Sequence, residues 1–452
     1  MGLISFSVHG LFGTFDHPIK FDHNQRIKII HGPNGFGKTS ILRLIDAFFN
    51  LKYSVLRRIP YTQMVFTFSD NDIIEVQRIQ RLVEPKKNAE QGSQSVALKI
   101  TLRGKNAPPR TYDVKPPMLD RERISLSTID DIIPELERVG PEEWLHLPTG
   151  RRLNLTDAFD EFADQLRQFP GGKMEEPDWL RSVVKSLPVY LIEAQRLLLP
   201  SSRGEKLSRL HRLPSPAGMS SAVSVYSRRM VDRIRETLAR SAEVSQSLDS
   251  SFPERLLHGT TGGNAKIEGV RERYDAQVQK RTRLMEAGLL DRKEEVPLPN
   301  GTIGDSEQRV LALYVSDVEK KLAAFDDILK RMELFKEMIN RRFQYKQMKI
   351  DKNQGFIFET PQGGVVPPSE LSSGEQHEVV LANQLLFDVP EGALILIDEP
   401  ELSLHVAWQQ DFLKDLEKIS GVIRMDFLIA THSPQIIDGR WDLTSDLQGP
   451  KL

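Results

Sequence analysis

At 452 residues the chain is long for a single core, so two lobes, or one lobe with a large insertion, are expected. A formal charge of −2 and a pI near 6.6 give no global basic surface that would demand nucleic acid. The absence of cysteine excludes disulfides, thiolate zinc sites and cysteine nucleophiles. No apolar stretch approaches a bilayer span, the N-terminus lacks a basic leader, and Phe6 stands where a myristoylation signal needs Ser or Thr. A cytoplasmic location without a membrane partner is therefore expected.

In chain order, Leu3–Val8, Ile19–Phe21 and Arg26–Ile30 read as short strands. They lead into Gly32-Pro33-Asn34-Gly35-Phe36-Gly37-Lys38-Thr39-Ser40, which fits G-x-x-x-x-G-K-[ST]. In such a loop the glycines let the backbone turn tightly and bring its N–H groups up to phosphate oxygens. Lys38 carries a positive charge to the β- and γ-phosphates, and the Thr39 hydroxyl can ligate Mg2+. A strand precedes the motif and helix-patterned Ile41–Phe49 follows it, so the helix dipole adds to anion binding.

From Tyr61 to Val114 apolar and polar residues alternate, which predicts half-exposed antiparallel strands. Residues 118–186 read mostly as short helices, one of them striped by Phe159, Phe162, Leu166 and Phe169 as core packing. Pro188–Glu193 is a buried-strand candidate ending near Gln195, which reads as a surface residue or as a ligand. The segment 201–240 is basic. A solvated helical face is the first reading of it, and contact with DNA phosphates or an acidic protein surface is the second. Thr260–Asn264 reads as a loop. Glu307–Phe343 predicts one or two amphipathic helices with Val310, Leu311, Tyr314, Val318, Leu322 and Phe325 on one stripe. Met348–Glu359 predicts a hairpin turning near Asp351–Gly355.

The last quarter carries two apolar runs without polar alternation, Ala393–Ile397 and Phe427–Ala430, expected to be buried parallel strands. Ligands gather at the carboxyl ends of such strands, so Asp398, Glu399 and His432 should lie close together. Asp398 can hold Mg2+ directly or through water, and Glu399 can orient and deprotonate an attacking water. His432 could hydrogen-bond a γ-phosphate. Ser372 and Gly374 are expected to open a helix and offer a hydroxyl, backbone N–H groups and a dipole to a phosphate.

Five elements now stand in order. Gly32–Ser40 resembles a Walker A loop, with Asn34, Gly35, Phe36, Gly37, Lys38, Thr39 and Ser40 as nucleotide-binding residues. Gln195 resembles a Q-loop, and Leu371–Gln376 an ABC signature. Leu394–Glu399 resembles a Walker B strand with its catalytic glutamate, and His432 a switch histidine. The chain is similar to ABC-type ATPases of the soluble RecF, SMC and OLD-like branch, which Pro400–His405 and Ala430–Gln435 also resemble. The resemblance implies an α/β P-loop ATPase head with a mixed sheet, an antiparallel β lobe and a helical, short coiled-coil-like insertion. The expected division is an N-terminal ATPase lobe at 1–200, an insertion at 201–342 and a C-terminal ATPase lobe at 343–452.

Further implications of the resemblance are ATP and Mg2+ as cofactors, with the metal held by Thr39, Gln195 and Asp398, and Glu399 and His432 as catalytic residues. Ser372, Ser373, Gly374 and Glu375 would act in trans on the nucleotide of a second copy, giving a dimer or higher oligomer. The interval between Gln195 and Leu371 exceeds that of a transporter subunit and falls short of chromosome-organising arms. No TOPRIM domain of the kind found in OLD-like enzymes is expected in the short stretch after His432. Any nuclease activity is therefore expected from a separate effector, of TOPRIM or HNH type. Such an arrangement resembles the ATPase subunits of PARIS and Septu antiphage systems, with a phage protein as trigger. Two alternatives stay open: a RecF- or SMC-like repair or replication ATPase clamping duplex DNA through 201–240, and a non-hydrolysing scaffold.

Overall fold

The structure is a computed structural model. It describes residues 2–22, 25–82, 94–105, 107–114, 133, 136–141, 143–146, 151–155, 158, 162, 176–193, 222–258, 267–291, 298, 304–402 and 404–449. The chain folds into two compact units. One comprises 1–194, 390–402 and 409–452, and the other 195–389 and 403–408. These bounds differ from the divisions at 200/201 and 342/343 read from sequence.

In the first unit, β1 (Leu3–Leu11), β2 (Phe15–Lys20), β4 (Gln63–Phe68), β5 (Ile73–Leu82), β6 (Gln94–Arg103) and β7 (Arg110–Val114) form one antiparallel sheet, ordered β2-β1-β4-β5-β6-β7. The alternation seen in the sequence is the cause: along β4, Met64, Phe66 and Phe68 are buried while Gln63, Val65 and Thr67 are half-buried. The strand β3 (Ile27–His31) joins a different, parallel sheet, whose other strands are β11 (Val189–Glu193), β15 (Leu394–Asp398), β16 (Asp426–Ala430) and β17 (Thr444–Asp446). Its order is β11-β15-β16-β3-β17. Parallel and antiparallel pairing are thus segregated. The buried-strand expectation for 188–193 needs correction: among the described residues β11 is an edge strand, and Tyr190 on it is exposed.

Helix α1 (Lys38–Phe49) ties the two sheets together. Ile41, Leu42, Leu44, Ile45, Phe48 and Phe49 are all buried in one cluster that also holds Phe6, Met64 and Phe66 from the antiparallel sheet and Leu394, Leu396 and Leu428 from the parallel one. Phe48 stacks on Phe66 with centroids 4.6 Å apart. Each such side chain contributes about 1.5–3 kcal/mol on burial, so the helix after the loop is clamped from both sides. Helix α2 (Tyr53–Arg58) follows directly, and α3 (Asp178–Ser186) precedes β11.

The expectation of short helices over 118–186 is overturned for the described residues between Leu136 and Asn154. They form a meander of β8 (Leu136–Arg138), β9 (Glu143–His146) and β10 (Arg151–Asn154). Leu136, Trp144, Leu153 and Phe162 close a small core of their own. Runs of three or four residues are too short for periodicity to separate strand from helix. Phe159, Leu166 and Phe169 of the expected stripe lie outside the described residues, as does the expected loop Thr260–Asn264.

The second unit holds α4 (Ala222–Leu257), α5 (Ile267–Glu286), α6 (Asp305–Ala323), α7 (Asp326–Arg342), the hairpin β12 (Gln347–Asp351) and β13 (Gly355–Glu359), the short β14 (Val365–Val366), and α8 (Ser373–Asn383). The expected stripe on α6 is rotated. Val310 and Tyr314 are exposed, while Ala312, Leu313, Val315, Val318 and Leu322 are buried. The helix packs on both α4 and α5, so its apolar face is set by two neighbours. Between α7 and α8, Arg342 and Glu378 form a buried ion pair.

Candidate nucleotide site

The loop from Gly32 to Gly37 leaves the carboxyl end of β3 and enters α1. Gly37 is the N-cap in a left-handed conformation (φ 87°), and a Cβ there would lie 2.5 Å from the buried Leu11 side chain. No side chain caps α1, and its first turn carries no acid. An uncapped helix N-terminus at the end of a central parallel strand suits an anion.

Lys38 is buried. Its Nζ donates to the carbonyls of Gly32 (2.8 Å) and Pro33 (3.1 Å) and stands 3.4 Å from His432 Nδ1. Burial lowers its pKa, and the charges of Glu399, Asp398 and Glu401 oppose that shift. The ammonium thus curls over its own loop amid three carboxylates. If it donates to Nδ1, the His432 Nε2 carries the proton and faces Glu399 Oε1 at 4.0 Å, a gap rather than a hydrogen bond.

Thr39 Oγ1 donates to Asp398 Oδ1 at 3.1 Å. Adjacent ligands of an octahedral Mg2+ at about 2.1 Å sit roughly 3.0 Å apart, so these two oxygens fit a cis pair. Among the described residues no group of three His, Asp or Glu could hold a metal alone. Mg2+ commonly takes one or two protein oxygens and completes its shell with phosphate and water.

Asp398 ends β15, and β16 beside it ends at Ala430, in register with Asp398. Two residues later comes His432. Glu399 adopts φ 46°, unusual for a residue with a Cβ, and its N–H donates to the Ala430 carbonyl at 2.9 Å. The structure therefore brings Lys38, Thr39, Asp398, Glu399 and His432 to one end of one sheet.

Residues 220–438, just under half of the chain, match a family model described as "AAA domain, putative AbiEii toxin, Type IV TA system". The SMC head domain from Thermotoga maritima is 12% identical, over 97% of this chain and 92% of that one, with a TM-score of 0.32. An Smc head with an extended coiled coil, bound to the C-terminal domain of ScpA and derived from Pyrococcus furiosus, is 12% identical, over 96% and 91%, at 0.30. A SmcHead bound to the C-winged helix domain of ScpA is 10% identical, over 97% and 92%, at 0.32. The matched residues include the strand ends that carry Asp398, Glu399 and His432, whereas the loop Gly32–Ser40 lies outside them.

Of the other residues singled out from the P-loop ATPase motifs, Gln195 lies outside the described residues. Ser372, Ser373, Gly374 and Glu375 belong to the second unit and open α8. There the Ser372 N–H and hydroxyl both donate to Glu375 Oε2, at 2.8 and 2.9 Å, and Lys346 Nζ holds both Glu375 oxygens. Helix α8 is thus self-capped, in contrast to α1. In the described part of the basic segment, Arg229 and Arg233 pair with Asp388, and Arg235 with Asp232.

Two residues of the first-unit site carry no role in the sequence reading. His17 is buried, and its Nε2 lies 2.9 Å from the carbonyl of Phe36, supporting the apex of the loop from beneath. Burial lowers its pKa against that hydrogen bond. Nothing in its spacing betrays this contact. Glu401 accepts from the His432 N–H and the Thr431 hydroxyl, both at 2.8 Å. Its position two residues beyond Glu399 was the available signal. A cavity of about 380 Å³ at the amino ends of the same strands, bordered by Arg26, Lys28, Arg424 and Asp426, lies at the wrong end of the sheet for this chemistry.

Proposed function

We propose that the chain binds ATP with Mg2+ at this site and hydrolyses it slowly, as a regulatory event. The observation that carries the reading is the convergence of Lys38, Thr39, Asp398, Glu399 and His432 at the carboxyl ends of β3, β15 and β16. Lys38 would exchange its two loop carbonyls for β- and γ-phosphate oxygens. A water oxygen attacks the γ-phosphorus, its proton passes to the Glu399 carboxylate, and the bond to the β-phosphate oxygen breaks, releasing ADP and phosphate. His432, beside both Lys38 and Glu399, hydrogen-bonds the γ-phosphate. Thr39 and Asp398 would hold Mg2+, with Gln195 as a further ligand by motif order, and the metal neutralises phosphate charge when bound.

The signature residues Ser372, Ser373, Gly374 and Glu375 of one copy complete the nucleotide site of another, so ATP state becomes assembly state. In this reading the assembly gates a separate effector, a TOPRIM or HNH nuclease, in a cytoplasmic antiphage system of the PARIS or Septu kind, with a phage protein as trigger. The rival duplex-DNA clamp needs free charge on 201–240. Among the described residues of that segment, Arg229, Arg233 and Arg235 have acidic partners.

The test is complementation in trans. Lys38→Ala and Ser372→Arg should each be inactive. An equal mixture should recover about a quarter of wild-type turnover, because half the dimers are mixed and each keeps one intact site. No recovery overturns the shared site.

A further inference from the structure

We propose that Glu401 is a positioning residue for hydrolysis, holding His432 at its working distance from Glu399. The proposal rests on the ATPase reading and deepens it.

Beyond Ala430 the chain leaves the parallel sheet. Thr431 N–H still donates to Ile30 on β3, but the next amide, that of His432, has run past the ladder. Glu401 receives it. One carboxylate oxygen takes the His432 N–H and the other takes the Thr431 hydroxyl. Thr431 is fully buried, and its oxygen in turn accepts the Ser433 N–H at 2.9 Å. The ring then closes through Gln409, also buried. Its amide donates to the Glu401 carbonyl at 3.2 Å, and its oxygen accepts from Ser433 Oγ at 3.0 Å.

The other end of Glu401 is equally fixed. It sits in a single 3-10 turn, Pro400–Leu402, closed by Leu402 N–H on the Glu399 carbonyl at 3.1 Å. The same turn starts from the left-handed Glu399. One carboxylate thus bolts the turn that carries the proposed base to the backbone that carries the imidazole. A solvated surface acid would not have both oxygens committed to adjacent residues of a neighbouring strand end. Glu401 touches no reacting atom in this geometry; its charge reaches Lys38, and its hydrogen bonds reach the site through the backbone of His432.

The experiment compares wild type with Glu401→Ala, Glu401→Gln, His432→Ala and the Glu401→Ala/His432→Ala double variant, measuring kcat and KM for ATP and the ATP Kd separately. Misplacing a catalytic group by about 1 Å costs on the order of 100-fold, so Glu401→Ala should lose between about 10- and 100-fold in kcat while the Kd stays within about threefold. Glu401→Gln keeps an acceptor for the His432 N–H and should recover most of kcat. The double variant should be no slower than His432→Ala alone. Additive losses, an unchanged Glu401→Ala, or equal damage from Ala and Gln overturns the proposal.

Selective 15N-histidine labelling supplies a readout independent of turnover. The His432 amide should shift and lose exchange protection in Glu401→Ala and keep both in Glu401→Gln. If wild type does not hydrolyse ATP, the ATPase reading falls. If the His432 amide is unmoved by Glu401→Ala, the positioning role falls, whatever the turnover.

Discussion

Replacing Gly37 by alanine tests the geometry of the phosphate loop before any nucleotide is added. Two costs add. The left-handed conformation at φ 87° charges a residue with a Cβ about 1–2 kcal/mol. The new methyl would also lie 2.5 Å from Leu11 Cδ2, roughly 1 Å inside normal contact, and Leu11 is fully buried with Phe6 and Met64 in the same cluster. Overpacking of this kind costs a further ~1–3 kcal/mol. Gly35→Ala is the control: its φ is 86°, but nothing lies within 4 Å of the added carbon, so only the backbone term applies. With each kcal/mol worth about 2–4 °C in a unit of this size, Gly37→Ala should lower the first unit's ligand-free melting temperature by roughly 4–20 °C. Gly35→Ala should lower it by about 2–8 °C under the same conversion, and always by less. Differential scanning fluorimetry on the two variants decides it. Equal shifts would refute the close approach of Leu11 to the helix N-cap.

Other expectations follow from single contacts. His17 has a lowered pKa in the folded state, so the unfolded chain binds the extra proton; stability should fall as pH drops through about 6.5, and His17→Gln should flatten that loss in melting curves between pH 7.5 and 5. Lys38→Ala should abolish ATP binding by equilibrium dialysis, and wild-type affinity would contradict the loop assignment. Glu399→Gln should retain ATP binding and lose turnover by at least ~100-fold, and unchanged turnover would remove its role as base. In the second unit, Arg342→Leu strands the buried Glu378 carboxylate and should cost about 3–5 kcal/mol. The double variant with Glu378→Leu should regain most of it in denaturant titration.

Much of the site was legible because its parts are local. Gly37-Lys38-Thr39 needs only a strand before it and a helix after it, and the apolar run Leu394–Ile397 announces a strand buried on both faces that ends on Asp398. Where short-range pattern was the only guide, the reading failed. Three- and four-residue strands at 136–154 resembled helix fragments, and Val310 and Tyr314 looked like core until α4 and α5 took up the other face of α6. His17 illustrates the opposite gap: a solvent-compatible residue on an alternating strand proves to be buried under the Phe36 carbonyl, through packing between β2 and the loop.

By itself the amino-acid order marked out the glycine-rich loop before α1, the strand ends that carry acids, and a helix opening at Ser372 and Gly374, because each depends on neighbours within a few positions. Only tertiary structure decided that Lys38 meets His432, that Thr39 meets Asp398, and that Glu401 holds the backbone of His432. Those meetings depend on the order β15-β16-β3 in the sheet, which is chosen by burial of whole strand faces against α1. No local periodicity encodes which parallel strand lies beside which.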